Sequence, residues 1–272
     1  MPPIHNRTYE AVANEVPLIE LRNVSKRFGD QVVLDGITLA IRRGETTVVI
    51  GESGTGKSVL LKHIIGLLRP DAGQVLIDGQ RVDTLSPKEW VPVRSRFGIL
   101  FQGAALFDSM TAGENVGFPI LEHRQIRRDE VQRIVRSKLR MVGLGEFAHR
   151  KPAELSGGQK KRVGLARAIA LDPEVILYDE PTTGLDPVRA DVINELIIKL
   201  QRELNVTSIV VTHDMASAYK IADRIVMLYH GHIISDGTPD EIRHTNDDRV
   251  RRFIEGRADE DDLASIAAEA TQ

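Results

Sequence analysis

The sequence predicts an α/β fold: a mostly parallel core sheet covered by helices on both faces, an antiparallel β subdomain, and an inserted α-helical subdomain. Three observations predict it. The β-prone run Thr46-Thr47-Val48-Val49-Ile50 leads into the glycine-rich loop Gly51-Glu52-Ser53-Gly54-Thr55-Gly56-Lys57-Ser58, and the helix-prone run Val59 to Ile65 follows. From Val175 onward, strand-like and helix-like runs alternate and the strands are apolar throughout, as in sheets buried on both faces. Between Gln102 and Ser156 strand signal almost vanishes, while Val131, Ile134, Val135, Leu139 and Val142 recur at helical spacing among arginines and lysine.

Taken in order, residues 1–16 are polar and read as a flexible tail. They carry two early prolines and no apolar stretch of the kind that marks a secretory signal. From Pro17 the chain turns β-like through Ile19, Leu21 and Val24 to a Gly29-Asp30 turn, then Val32 to Leu34 and Ile37 to Ile41. After the loop and its helix, Val75-Leu76-Ile77 is a strand ending at the Asp78-Gly79 turn, and Phe97 to Phe101 is a buried strand ending at Gln102. The helical stretch of about 103–165 follows. A helix begins at Ser156, with Val163, Ala166, Ile169 and Ala170 on its inner side, and Pro173 stops it. Val175 to Tyr178, Val188 to Leu204, Ser208 to Val211 and Asp214 to Ala222 then alternate as strand, helix, strand and helix, and two strands flank Gly231. The domain so defined is 17–240, followed by a C-terminal helical extension over 241–272. In it Arg249 to Ile254 mixes basic and apolar residues and Ala258-Asp259-Glu260-Asp261-Asp262 is acidic, so the extension is either a solvated tail or a segment that docks on a neighbouring subunit.

Composition excludes several classes of function. With 272 residues the chain is near the upper limit of one hydrophobic core. A net charge of −3 offers no general attraction to nucleic acid, and no polynucleotide partner is expected. The absence of cysteine removes disulfides, thiol catalysis and cysteine-based zinc sites. No run approaches the ~18 apolar residues of a membrane span, so work at a membrane is expected to pass through a partner.

Gly51 to Ser58 fits G-x-x-x-x-G-K-[ST], and its physics is anion capture. The glycines let successive backbone N–H groups turn inward, the following helix presents its positive end, and Lys57 adds a full charge at the β- and γ-phosphates. Ser58 can place its hydroxyl on Mg²⁺. The strand before and the helix after favour this reading over an incidental glycine-rich turn, and together they predict a P-loop NTPase fold. Val175-Ile176-Leu177-Tyr178-Asp179-Glu180 is a buried strand ending in two carboxylates. Asp179 can hold Mg²⁺ opposite Ser58, and Glu180 can orient and polarise the attacking water as general base. His213, after the strand ending at Thr212, lies where open α/β sheets place their ligands and can stabilise charge at the γ-phosphate. Gln102 reaches the same rim from another strand, with an amide oxygen for the metal.

Leu155-Ser156-Gly157-Gly158-Gln159 is a second glycine-bearing helix N-terminus with no metal ligand beside it. One subunit has little use for two such ends around one phosphate. Two copies facing head to tail could each lend Ser156, Gly157, Gly158 and Gln159 to the other's ATP, which predicts a nucleotide-bridged homodimer.

In this order, these motifs resemble the ATP-binding subunits of ABC transporters over residues 18–240. They comprise the Walker A loop Gly51 to Ser58, the Q-loop Gln102, the signature Leu155 to Gln159, Walker B Val175 to Asp179 with Glu180, a D-loop at Gly184-Leu185-Asp186, and the switch His213. The resemblance implies an ABC ATPase cassette using ATP and Mg²⁺, two subunits sandwiching two ATP, integral membrane permease subunits, and an adenine-stacking role for Phe28 at the A-loop position. A narrower similarity, carried by Leu100 to Thr111, Glu114 to Pro119 and Asp248 to Gly256, is to the Mla-type ATPases of MCE-associated phospholipid transporters. It implies phospholipid as cargo, an MCE-type lipid-binding partner, a seat on the cytoplasmic face of a bacterial inner membrane, and permease contact at Ala104 to Phe107, against which a plain core role stands as the other reading. Glu52 inside the loop and Thr183-Gly184 before Leu185 are mild departures that leave phosphate chemistry untouched. Amino acids, ions or lipoproteins remain alternative cargoes. A soluble ABC-type ATPase acting on DNA or ribosomes fits less well, because the chain has one cassette, no sustained heptads and no cysteine.

Overall fold

The computed structural model describes residues 16–258. Residues 1–15 of the expected tail, and 259–272 of the expected extension with its acidic run, lie outside the described residues. The chain runs β1 (Ile19–Phe28), β2 (Gln31–Ile41), β3 (Thr46–Ile50), α1 (Lys57–Ile64), β4 (Ala72–Ile77), β5 (Gln80–Arg81), α2 (Pro87–Arg94) and β6 (Phe97–Leu100). Next come α3 (Ala112–His123), α4 (Arg128–Met141), α5 (Gly157–Ala168), β7 (Val175–Asp179), α6 (Pro187–Leu204), β8 (Thr207–Thr212) and α7 (Met215–Ile221). The strands β9 (Arg224–Tyr229) and β10 (His232–Gly237) and the helices α8 (Pro239–Arg243) and α9 (Asp248–Glu255) complete it.

Two sheets organise these elements. The larger has the order β10-β9-β3-β8-β7-β6, parallel throughout except for β10, which pairs antiparallel with β9 at the edge. The smaller, β2-β1-β4-β5, is antiparallel. Strand side chains alternate in direction, so a strand that is apolar at every position feeds a core on each side of the sheet. Val48, Ile50, Ile176, Tyr178 and Val210 face one core, with Val116, Val135, Leu139 and Ile197 from the helices. Val49, Leu177, Ile209 and Val211 face the other, with Leu60 and Ile64 of α1 and the inner side of the small sheet. The fold class expected from the motifs is the one observed.

The expected helical stretch between Gln102 and Ser156 contains α3 and α4 and no strand. Thr111 caps α3 reciprocally with Glu114, an arrangement worth about 1 kcal/mol. Lys138 of α4 donates from Nζ to Asp172 Oδ1 at 2.5 Å, and the Arg124 guanidinium donates to the Leu171 carbonyl at 2.9 Å, which ties these helices to the turn entering β7.

Two elements differ from expectation. β2 is continuous across the point where the sequence suggested two strands, its register against β1 shifting at bulges. α2 was not foreseen at all. Its Ser86 cap and Glu89 form a capping box, Pro87 occupies the first turn, and Trp90 is buried at 3 % exposure. The Trp90 ring lies so close to Gly66 that a Cβ there would come within 2.1 Å of it, at a φ of 65° that also favours glycine. Arg94 seals the contact, its guanidinium donating to the carbonyls of Ile65 and Gly66 at 3.0 and 2.8 Å.

Candidate functional site

The functional side chains collect at the C-terminal edge of the larger sheet, where parallel strands release their loops. β3 ends at Ile50, and the loop that follows bends through Gly51, Gly54 and Gly56, with φ of 151°, 84° and 100°. Gly51 also permits close approach: a Cβ there would lie 2.3 Å from the Leu228 carbonyl. Gly56 caps α1 in the left-handed conformation, and no side chain bonds the helix N-terminus. The first N–H groups of α1 are therefore left for an external acceptor. Gly56 abuts Val33 and Leu34 of β2, which places the small sheet against the loop. Phe28 ends β1 beside that hairpin, its ring 47 % exposed as stacking would require, with the Lys26 ammonium 5.5 Å from the ring centroid. Glu52, Ser53 and Gly54 are exposed, so the Glu52 carboxylate does not enter the cradle's interior.

Lys57 is buried and closes the loop on itself. Its Nζ donates to the carbonyls of Gly51 and Glu52 at 2.8 and 2.7 Å. Burial pushes the ammonium below the usual lysine range, while the carboxylates of Glu180, Asp179 and Glu52 pull it back up. Ser58 Oγ donates to Asp179 Oδ1 at 2.8 Å, joining the glycine loop to the end of β7. Two adjacent oxygen donors of this kind suit a hard divalent cation, as does the mixture of one hydroxyl with one carboxylate at a nucleotide site. Ser58 and Asp179 would hold Mg²⁺, with Gln102 as a further oxygen donor. When bound, the ion would neutralise charge on the triphosphate.

Glu180 follows Asp179 with φ 48°, in the left-handed region, and is 9 % exposed. Its carboxylate is held from three sides. His213 Nδ1 lies 3.0 Å from Oε1, Thr183 Oγ1 donates to Oε2 at 3.0 Å, and Thr212 Oγ1 donates to Oε2 at 3.4 Å. Its backbone N–H donates to the Val211 carbonyl of β8 at 3.0 Å, and its carbonyl accepts from Lys161 Nζ at 3.0 Å. Asp214 supports the switch side by capping α7 and accepting from Ser217 Oγ at 2.5 Å. A carboxylate near enough to act on the charge of Lys57, with a histidine in contact with it, can activate water and stabilise developing charge.

Of the residues singled out in the sequence, Lys57, Ser58, Asp179, Glu180 and His213 are brought together by these bonds. Gln102 is exposed two residues past β6, at the same sheet edge, and makes no hydrogen bond among the described residues. The signature segment stands apart. Ser156 caps α5 in a reciprocal box with Gln159, and Ser156 and Gly157 are exposed while Gly158 is buried. Among the described residues, no hydrogen bond joins Ser156 to Gln159 with the loop Gly51 to Ser58. Instead this helix end borders its own cavity with Arg162, Arg189 and Val192.

Sequence reasoning missed Lys161, Thr183 and Thr212. Lys161 stood inside a Lys160-Lys161-Arg162 run, yet it lies three residues after buried Gly158 and seven before buried Ala168, a spacing that shares their helix face. For the two threonines no periodic signal existed. Beyond Gln102, the segment Ala104 to Phe107 divides: Ala104 is buried, whereas Phe107 is 42 % exposed with its ring 4.9 Å from that of Phe118. Ala104 and Ala105 both have positive φ, and their carbonyls accept from Arg167 of α5 at 2.7 and 2.6 Å.

With this geometry in place, the likeness to known proteins is consistent. The family model described as ABC transporter matches residues 34–183. The intermembrane phospholipid transport system ATP-binding protein MlaF of Haemophilus influenzae is 44 % identical over 242 residues, 89 % of this chain and 92 % of the relative. The probable ribonucleotide transport ATP-binding protein mkl of Mycobacterium leprae is 43 % identical over 260 residues, 93 % of this chain and 75 % of the relative. Among solved structures, a dimeric ATP-binding cassette in a post-hydrolysis state bound to ADP and Pi superposes with a TM-score of 0.75. It is 35 % identical and covers 81 % of this chain and 98 % of its own. The family match spans more than half of the chain and these relatives span about nine-tenths of it, so the chain belongs to the ABC transporter family, as a subunit that binds and hydrolyses ATP.

Proposed function

We propose that this chain is the motor of a phospholipid transporter, working as a pair of identical copies that close on two ATP molecules and open after hydrolysis. The observation that carries the ATPase part is the bonded chain of Lys57, Ser58, Asp179, Glu180 and His213 at one sheet edge, while Ser156 to Gln159 lie apart from it. In this reading Gly51 to Ser58 bind the phosphates, Ser58, Asp179 and Gln102 hold Mg²⁺, and Phe28 stacks on adenine. Glu180 takes the proton from the attacking water, and His213 steadies both the Glu180 carboxylate and the γ-phosphate. Ser156, Gly157, Gly158 and Gln159 serve the nucleotide of the partner copy. The ATPase domain is 17–240, with the helical subdomain at about 103–165.

The phospholipid cargo rests on the 44 % identity to MlaF, and a membrane permease and an MCE-type lipid-binding partner are part of the same proposal. Among the described residues no helix is long and apolar enough to cross a membrane. In the proposed reading the chain sits on the cytoplasmic face of a bacterial inner membrane through a permease, to which the exposed Phe101 and Phe107 beside the Gln102 loop offer an apolar landing point. The likeness to mkl favours ribonucleotide as the second reading of the cargo. The test is to purify the chain with its membrane partners, reconstitute them into vesicles, and follow ATP-dependent exchange of labelled phospholipid. ATP-dependent lipid movement, with hydrolysis stimulated by phospholipid and not by ribonucleotides, is expected. Stimulation by ribonucleotides alone, with no lipid movement, contradicts the phospholipid reading.

A further inference from the structure

Lys161 occupies a place where a lysine is costly. It lies on α5, five residues after the Ser156 cap, and only 5 % of it is exposed. Removing an ammonium from water is unfavourable unless charge or hydrogen bonds compensate. Burial does push Lys161 below the usual lysine range, and the Glu180 and Asp179 carboxylates oppose that shift. Among the described residues its hydrogen-bond partner is a single atom, the backbone carbonyl of Glu180 at 3.0 Å from Nζ.

That carbonyl belongs to a turn held in an unusual conformation. Glu180 carries a side chain at φ 48°, a conformation that persists only where surroundings hold it. The surroundings hold it at both ends. β8 takes the Glu180 N–H through the Val211 carbonyl, and α5 takes the Glu180 carbonyl through Lys161. The three contacts on the carboxylate come from Thr183, Thr212 and His213, and each of them depends on the backbone delivering the side chain to the same spot.

We infer that Lys161 is a positioning residue for Glu180, tying the helix that begins at Ser156 to the turn that aims the catalytic carboxylate within the same subunit. The inference rests on the reading of Glu180 as general base and of Ser156 to Gln159 as the contact for the partner's nucleotide. Its consequence is a mechanical link: a shift of α5 on engaging the partner's ATP moves the atom that holds this subunit's own Glu180. The occupancy of one site is thereby passed to the geometry of the other.

The test uses the full chain with its membrane partners and two substitutions. Lys161→Met keeps length and volume while removing the donor, and Lys161→Arg keeps a cationic donor. Misplacing a reacting group by about 1 Å can cost on the order of 10²-fold in rate. Lys161→Met is therefore expected to lower kcat for ATP by at least about tenfold, with KM and the Kd for ATP within about twofold of the parent, and Lys161→Arg to recover most of the loss. In single-turnover measurements on a Glu180→Gln background, Lys161→Met is expected to cause no further fall, because it acts through the group already removed. An unchanged kcat for Lys161→Met overturns the inference. So does an equal fall in the Glu180→Gln background, or a loss of ATP affinity that tracks a lowered Tm. Should Lys161→Met not fold, Lys161→Gln is read by the same criteria, its shorter neutral donor giving an intermediate kcat. Full turnover by Glu180→Gln alone would instead overturn the base assignment, so the two failures are distinguishable.

Discussion

Glu180→Gln is expected to lower ATP hydrolysis by about 10²-fold or more while ATP binding stays intact, the scale of loss when a general base is removed. The amide has nearly the same volume and keeps an oxygen that can accept from Thr183 and Thr212, so the turn at φ 48° retains its supports. What it loses is the negative charge that can take a proton from water. Because Glu180 sits beside the phosphate loop without forming part of it, nucleotide affinity has no reason to fall. Phosphate release in single-turnover experiments, paired with titration of a fluorescent ATP analogue, reads both quantities. Undiminished turnover would remove Glu180 from the role of base.

Lys57→Ala is expected to abolish tight nucleotide binding, which calorimetric titration with ATP measures directly. A hydrogen bond to a charged group is worth about 1.5–3 kcal/mol, and the ammonium is the one full positive charge inside this loop. The substitution has a second effect within the free protein. Lys57 is buried across the carbonyls of Gly51 and Glu52, and it stands among the carboxylates of Glu52, Asp179 and Glu180. Its removal takes the Lys57 donor from the Gly51 carbonyl, while the Glu52 carbonyl keeps the Thr55 hydroxyl at 2.9 Å, and it leaves negative charge facing the incoming triphosphate. A thermal melt alongside the titration separates lost binding from lost folding. Normal affinity for ATP in the folded variant would refute the assignment of the loop.

The contrast between what could and could not be read in the sequence follows from the range of the interactions. Thr46 to Ile50, Val175 to Asp179 and Thr207 to Thr212 are buried on both faces, so their apolar character is local and visible. The glycine loop is likewise local, since its conformation follows from residues within eight positions. α2 escaped notice because Pro92 within an eight-residue helix suggests a turn, although the spacing of Ser86, Pro87 and Glu89 is a helix start. Lys161 is not legible because it stands between two cations in a run whose composition suits a solvated face, while its partner lies nineteen positions away in the chain. The left-handed turn at Glu180 was equally out of reach, being imposed by contacts from β8 and α5 on a residue with no intrinsic preference for it. Phe107 and Ala104, three positions apart, fall on opposite sides of the boundary between surface and core, a division set by the helices that pack behind them.

The central claim is that the site is shared, the loop Gly51 to Ser58 of one copy facing Ser156 to Gln159 of the other. It is tested most directly by placing two lesions in a mixed dimer. Ser156→Arg fills the helix end that would face the partner's γ-phosphate, and Lys57→Ala disables the loop. With the two lesions on opposite copies, both fall in the same composite site, and the dimer is expected to retain one working site that binds and hydrolyses ATP. With both on one copy, each composite site carries a lesion and activity is expected to vanish. The reverse pattern, activity when both lesions share a copy and none when they are separated, would mean that each subunit completes its own site and would contradict the account.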